Sequence, residues 1–225
     1  MTMTNEQRDY LYNSVRQQLD ASVGSEAAMA LHNWLIGYKD NPALIPRIYW
    51  LVENGSDEAL TDSQRGYTYS LADGGLAVES KLGQWLFDAT QAKLAMRLMY
   101  GVMADCMPLG TVVVLRKEEF GARLDAITTD SLRVVINQRM AALPNSPLFF
   151  DYGGVIYPFG LVKGAESIYF SPDLIERVVH LGFSDEADQA FLTALKADLV
   201  LKRGYYSFAL ASDDERRAAR SEMRS

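Results

Sequence analysis

The side chains best suited to chemistry are few. The chain of 225 residues holds two histidines, His32 and His180, and one cysteine, Cys106. Those three cannot fill a typical zinc set without carboxylates, so no metal site is expected. His32 falls in a helical pattern. His180 sits in the strand-like run Val178-Val-His-Leu181, where a hydrogen-bonded structural histidine is the expectation. Cys106 has no histidine beside it in sequence, which favours an inert packed thiol over a nucleophile. No G-x-S-x-G elbow, no G-x-x-x-x-G-K-S/T phosphate loop and no G-x-G-x-x-G turn occurs. The pairs Gly74-Gly75 and Gly153-Gly154 are expected to serve turns or bulges. Asp185, Glu186 and Asp188 are best explained as favourable charge on a helix N-terminus. No catalytic residue and no cofactor is therefore assigned, and the chain is expected not to be an enzyme.

Two features point instead to protein binding. Met96, Met99, Met103 and Met107 recur at spacings of three and four. A polarizable methionine stripe can adapt to a partner helix, although core packing is the stronger expectation. The second feature is the aromatic run from Phe149 to Phe170. Alternation along strands turns some of these rings outward, and outward tyrosines anchor interfaces. Phe150, Tyr152, Tyr157, Phe159 and Tyr169 are the candidate binding residues.

Composition bounds the partners. At 48% hydrophobic and 23% charged, the chain can bury a sizeable core. A net charge of -7 repels phosphate backbones and anionic lipid, so neither nucleic acid nor membrane is an expected partner. The absence of a long apolar run or a signal-like start, together with a single cysteine, favours the cytoplasm. Composition leaves the oligomeric state open.

The elements that must position these residues divide near residue 106. Apolar spacing predicts helices over 5–21, with Thr4 and Gln7 as a capping box and Tyr10, Leu11, Val15 and Leu19 inward, and over 26–38. A third helix after Asn41-Pro42 stops at Gly55-Ser56. Beyond a polar segment at 57–75, a long helix is expected over 76–104, with Leu82, Trp85, Leu86, Ala89 and the methionines on one stripe. Strands are predicted at 111–115, 132–137, 148–152, 155–157 and 167–170, forming a small, mainly antiparallel sheet. A short helix to about Val178, a helix over 184–199 capped by Ser184, and a charged segment from Ser212, either a frayed helix or a disordered tail, complete the chain. The fold class is α+β: a helical region over 1–106, an α+β module over 107–210 and a flexible tail over 211–225.

The module carries a resemblance. Met107-Pro-Leu-Gly-Thr-Val-Val-Val-Leu115, Leu132-Arg-Val-Val-Ile136, Phe149-Phe-Asp-Tyr-Gly-Gly-Val-Ile-Tyr-Pro-Phe-Gly160, Ile168-Tyr-Phe170, Val178-Val-His-Leu-Gly-Phe-Ser-Asp-Glu186 and Phe191 follow in an order that resembles the bacterial domain-of-unknown-function family 4176, over about 108–210. Glu118 to Asp130 is longer than the family's usual first connection. Members look like small cytoplasmic proteins encoded beside LXG-type toxins of type VII (Esx) secretion systems. The resemblance implies an accessory or chaperone role, binding a toxin or its helical partners. An immunity protein that occludes a neighbouring toxin, or an enzyme whose groups converge only in space, are the rival expectations.

Overall fold

The computed structural model describes residues 3–81, 83–116, 131–161 and 167–222. Thr4 opens α1 (Asn5–Val23): its hydroxyl accepts from the Gln7 amide at 3.2 Å while the Gln7 side chain accepts from the Thr4 amide at 3.0 Å, the predicted capping box. Leu11, Val15 and Leu19 face the core, but Tyr10 is 58% exposed and Tyr12 takes the inner position. The next helices are α2 (Ser25–Leu35) and α3 (Ile45–Asn54), the latter closed by Gly55 in the left-handed region. α4 (Ala89–Met103) is capped by Asp88, whose carboxylate accepts from the amides of Thr90 and Gln91. Met96, Met99 and Met103 are fully buried and belong to the core, whereas Met107 is half-buried.

The region expected as a polar linker and the start of a long helix is instead a four-stranded antiparallel meander. It comprises β1 (Leu60–Asp62), β2 (Tyr67–Ala72), β3 (Gly75–Ser80) and β4 (Gly83–Phe87). Asp73 and Gly74 link β2 to β3 with φ of 50° and 75°. Two successive positive φ values make the two-residue hairpin turn that Asp-Gly favours. The apolar residues Ala77, Val78, Trp85, Leu86 and Phe87 suit either period, and the helical reading overran them; Leu82 lies outside the described residues. A buried network ties the meander to the helices. Trp34 donates to the Tyr69 hydroxyl at 3.3 Å, Tyr38 donates to Asp62 at 2.9 Å, and Arg65 donates to Asp62 at 3.0 Å. Burial alone would raise the Asp62 carboxyl, but the hydrogen bonds from Arg65 and Tyr38 hold it below its ordinary value.

The second sheet contains β5 (Val112–Leu115), β6 (Leu132–Ala142), β7 (Leu148–Ile156), β8 (Ile168–Phe170), β9 (Ile175–His180) and β10 (Tyr206–Ser207), in the order β10-β7-β6-β5-β9 with β8 also on β7. Its pairings are antiparallel except β10 with β7. The strands expected at 148–152 and 155–157 are one strand that runs through Gly153-Gly154, and the irregularity falls opposite, between Ile136 and Gln138. Close approach explains the glycines: a Cβ on Gly154 would lie 2.4 Å from a Val134 methyl and 2.6 Å from the Val135 carbonyl oxygen. Gly154→Ala is accordingly expected to lower stability by about 1–3 kcal/mol through overpacking, measured by urea denaturation. Only Pro172–Leu174 of the short helix expected up to Val178 is helical, as one 3-10 turn; the β-branched residues after it form the edge strand β9. The Glu118–Asp130 insertion lies outside the described residues.

α5 (Glu186–Lys196) continues into a π turn over Ala197–Lys202, and its N-cap is Asp185 rather than Ser184. The expected tail is a docked helix, α6 (Asp213–Glu222). Ala219 is buried, and Arg216 lies 4.3 Å over the Trp50 ring while donating to the carbonyls of Ala209 and Ala211. Glu215 accepts from Arg97 at 3.3 Å. One apolar core contains Leu11, Trp34 and Met99 together with Phe149, Leu192 and Leu210, so the helical region and the sheet module share their interior across residue 106.

Candidate functional site

Two charged anchors set α5 in place. At its start, Asp188 receives both Arg139 guanidinium nitrogens, at 3.2 and 2.6 Å, with the Arg139 side chain 4% exposed. At its end, Lys196 is 1% exposed and its ammonium donates to the carbonyls of Val102 and Ala104, at 3.0 and 2.6 Å. Those carbonyls close α4, where a cation also meets the negative end of the helix dipole. Burial pushes Lys196 down to about 8, against the pull of Cys106 and Asp105.

The remaining interior polar groups serve packing. Burial pushes the Cys106 thiol up to about 12, which leaves it protonated and poorly nucleophilic at neutral pH. Burial raises Asp151 to about 6, and Ser207 donates to it at 2.8 Å. The Tyr152 hydroxyl accepts from the Met107 amide at 3.0 Å. The space beside Cys106, Asp151, Tyr152 and Lys196 is about 20 Å³, room for one water and no substrate. Among the described residues no three His, Cys, Asp or Glu side chains group to hold a metal ion. No described helix is long and apolar enough to cross a membrane.

An open cleft of about 160 Å³ lies against this interior; its apolar lining is Met3, Cys106, Met107, Pro108, Leu181 and Leu192, and Asp105, Gln189 and Lys196 complete it. Beside it the β9–α5 connection is pressed onto the loop before β5. Gly182 donates to the Thr111 hydroxyl at 3.0 Å, and a Cβ there would sit 2.0 Å from the Leu109 carbonyl oxygen. That approach gathers Leu109, Leu181 and Phe183, which are 44%, 58% and 82% exposed. Val178 and Val179 extend the apolar surface along β9. A larger cleft of about 790 Å³ opens between α3, the Pro172–Leu174 turn and α6, but the raised carboxyl of Asp151 is not among its lining residues.

The aromatic candidates are split by the fold. Phe150 is buried and stacks on Phe208 at 4.4 Å, and Tyr152 is buried against Phe170 at 5.5 Å, so neither can meet a partner. Both are buried because β7 is covered on both faces from Leu148 to Gly154. Tyr169 is half-buried on Phe150. Tyr157 and Phe159 are exposed, 49% and 57%, after the end of β7. Sequence reasoning missed Leu109 and Phe183. The signal available was Leu181-Gly-Phe183, two large apolar residues in a connection where neither strand nor helix would bury them.

Fold and site together define an α+β protein with exposed apolar residues along β9 and the connection that follows it. Residues 106–191 match the family described as Domain of unknown function (DUF4176), the family that the ordered motifs resemble. No curated protein and no solved structure matches the chain. The matched segment supplies Cys106, Met107, Pro108 and Leu181 to the cleft, whereas Met3, Leu192 and Lys196 come from outside it.

Proposed function

We propose that the chain is a non-enzymatic, cytoplasmic accessory protein that holds a protein client, of the LXG-toxin class handled by type VII secretion, at the cleft beside Leu109, Leu181 and Phe183. The observation that carries this reading is the placement of exposed large hydrophobic residues. Among the described residues, nine of the thirteen lie within residues 106–191, well under half of the chain. Concentrated exposed apolar surface marks interaction sites, and a methionine-lined cleft of this size can take one apolar anchor. The client class rests on the family resemblance.

The test is co-purification with an LXG-type toxin encoded beside the gene. Leu181→Ser together with Phe183→Ser is expected to weaken client binding about 30-fold or more, as loss of anchor residues does. Melting temperature should stay within a few degrees of wild type, since both side chains are exposed. Retained binding by a folded double variant overturns the site. Loss of toxin export with healthy cells supports the accessory role, and loss of protection with export intact supports an immunity protein.

A further inference from the structure

Taking the cleft as the place where a client is held, we infer that it is a subsite for a chain terminus. The last residue of the client puts an apolar side chain of leucine size among Met3, Met107 and Leu192, and its free α-carboxylate reaches the Lys196 ammonium. An unneutralised cation carries this assignment. Burying a lone charge is costly, so a buried ammonium ordinarily has a carboxylate beside it. Lys196 has none: among the described residues its partners are the carbonyls of Val102 and Ala104 and the Met3 thioether, all uncharged. The carbonyls take two of its three protons. The third is left to the Met3 sulfur, a weak acceptor 4.0 Å away. Met3 and Lys196 both line the cleft, so an anion that displaces the thioether meets the ammonium directly. Asp105 does not serve in its place, because its carboxylate is 65% exposed and lies 3.8 Å from Arg8.

The walls select the anion. Apart from Lys196 they are mainly apolar, which suits a single carboxylate on an apolar body and not a phosphate, whose several oxygens each need a donor. The volume of about 160 Å³ suits one side chain, since a cavity of about 150 Å³ holds benzene. Beside the cleft stand Leu109 and Phe183, 44% and 82% exposed. A small free acid would leave them uncovered, whereas the residues that precede the terminus of a polypeptide cover them.

Isothermal titration calorimetry of the full chain with three probes tests the subsite. The first probe is the acetylated tripeptide of phenylalanine, alanine and leucine with a free carboxylate, which should bind with a Kd on the order of 1 mM. Its carboxamide should bind at least about tenfold more weakly, as loss of a charge-assisted hydrogen bond requires. Isocaproate, which is leucine without its amino group, should also bind more weakly than the tripeptide acid. Lys196→Met should remove the difference between acid and amide. Leu181→Trp, at the exposed rim, should fill the cleft and abolish binding of the acid while Lys196 stays in place. Equal binding of acid and amide overturns the inference, as does no binding of either or isocaproate that binds as tightly as the tripeptide. With the LXG-type toxin, a short charged tail added to its C-terminus should weaken capture about tenfold. Capture that ignores the tail but is lost in the Leu181→Ser and Phe183→Ser variant overturns the subsite and leaves the client reading standing.

Discussion

Lys196→Ala is expected to lower stability by about 3–5 kcal/mol, the range for breaking a buried charged interaction and leaving a cavity. The ammonium is the partner of the Val102 and Ala104 carbonyls, so its removal leaves two buried acceptors at the end of α4 unpaired. Lys196→Met keeps the stem in the core and should cost less. Its pH dependence carries a definite sign. Burial lowers the folded-state value to about 8 from 10.5, so between these values the unfolded chain binds more protons and stability rises with pH. Wild type should therefore gain on Lys196→Met from pH 8 toward 9, read as a diverging urea midpoint. Parallel curves would sink this account. Above pH 9 the raised Cys106 thiol acts in the opposite direction in both proteins.

The second large effect is expected at the other end of α5. Asp188→Ala should cost about 3–5 kcal/mol, because it strands the Arg139 guanidinium inside the protein. Arg139→Met in the same chain should recover much of that loss, since an apolar stem then occupies the space without a charge. Urea denaturation of the two single variants and the double variant measures the coupling, and purely additive losses would show that the pair is not energetically linked. Hydrogen bonds from Arg139 hold the Asp188 carboxyl below its ordinary value. Its contribution is present above the unfolded carboxylate pKa and is lost as pH falls through the folded value. The gap between wild type and Asp188→Ala should accordingly narrow in acid.

Local signals were legible in the sequence where one physical term dominated. The Thr4–Gln7 capping box, the buried methionines of α4 and the β-branched strands β5 and β6 needed no tertiary information. The meander was missed because Ala77, Val78, Trp85 and Phe87 satisfy a helical stripe as well as a strand. The Asp73-Gly74 dipeptide was the turn signal that should have decided between them. Docking of α6 could not be read from its charged sequence. It is held by Arg216 over two aromatic rings, that of Trp50 from a distant part of the chain and that of Phe208 just before the helix. The binding surface failed differently: strand alternation would have turned some rings of the run outward, but β7 is buried on both faces from Leu148 to Gly154, and the exposed Tyr157 and Phe159 lie after its end. Exposed Leu181 and Phe183 depend on how the β9–α5 connection lies.

The parallel pairing of β10 with β7 has a consequence for synthesis of the chain. Tyr206 and Ser207 fill the edge of a strand laid down nearly sixty residues earlier, and Ser207 also supplies the hydrogen bond to Asp151 inside that strand. A nascent chain that has just released residue 191 from the ribosome therefore has the complete matched segment but an unfinished sheet. Lys196 and the last strand have yet to leave the exit tunnel. Until they emerge, the Leu148–Phe149 end of β7 presents an unpaired edge, the kind of surface on which strands of other molecules assemble. Expressed alone, residues 106–191 should behave like that arrested chain and aggregate.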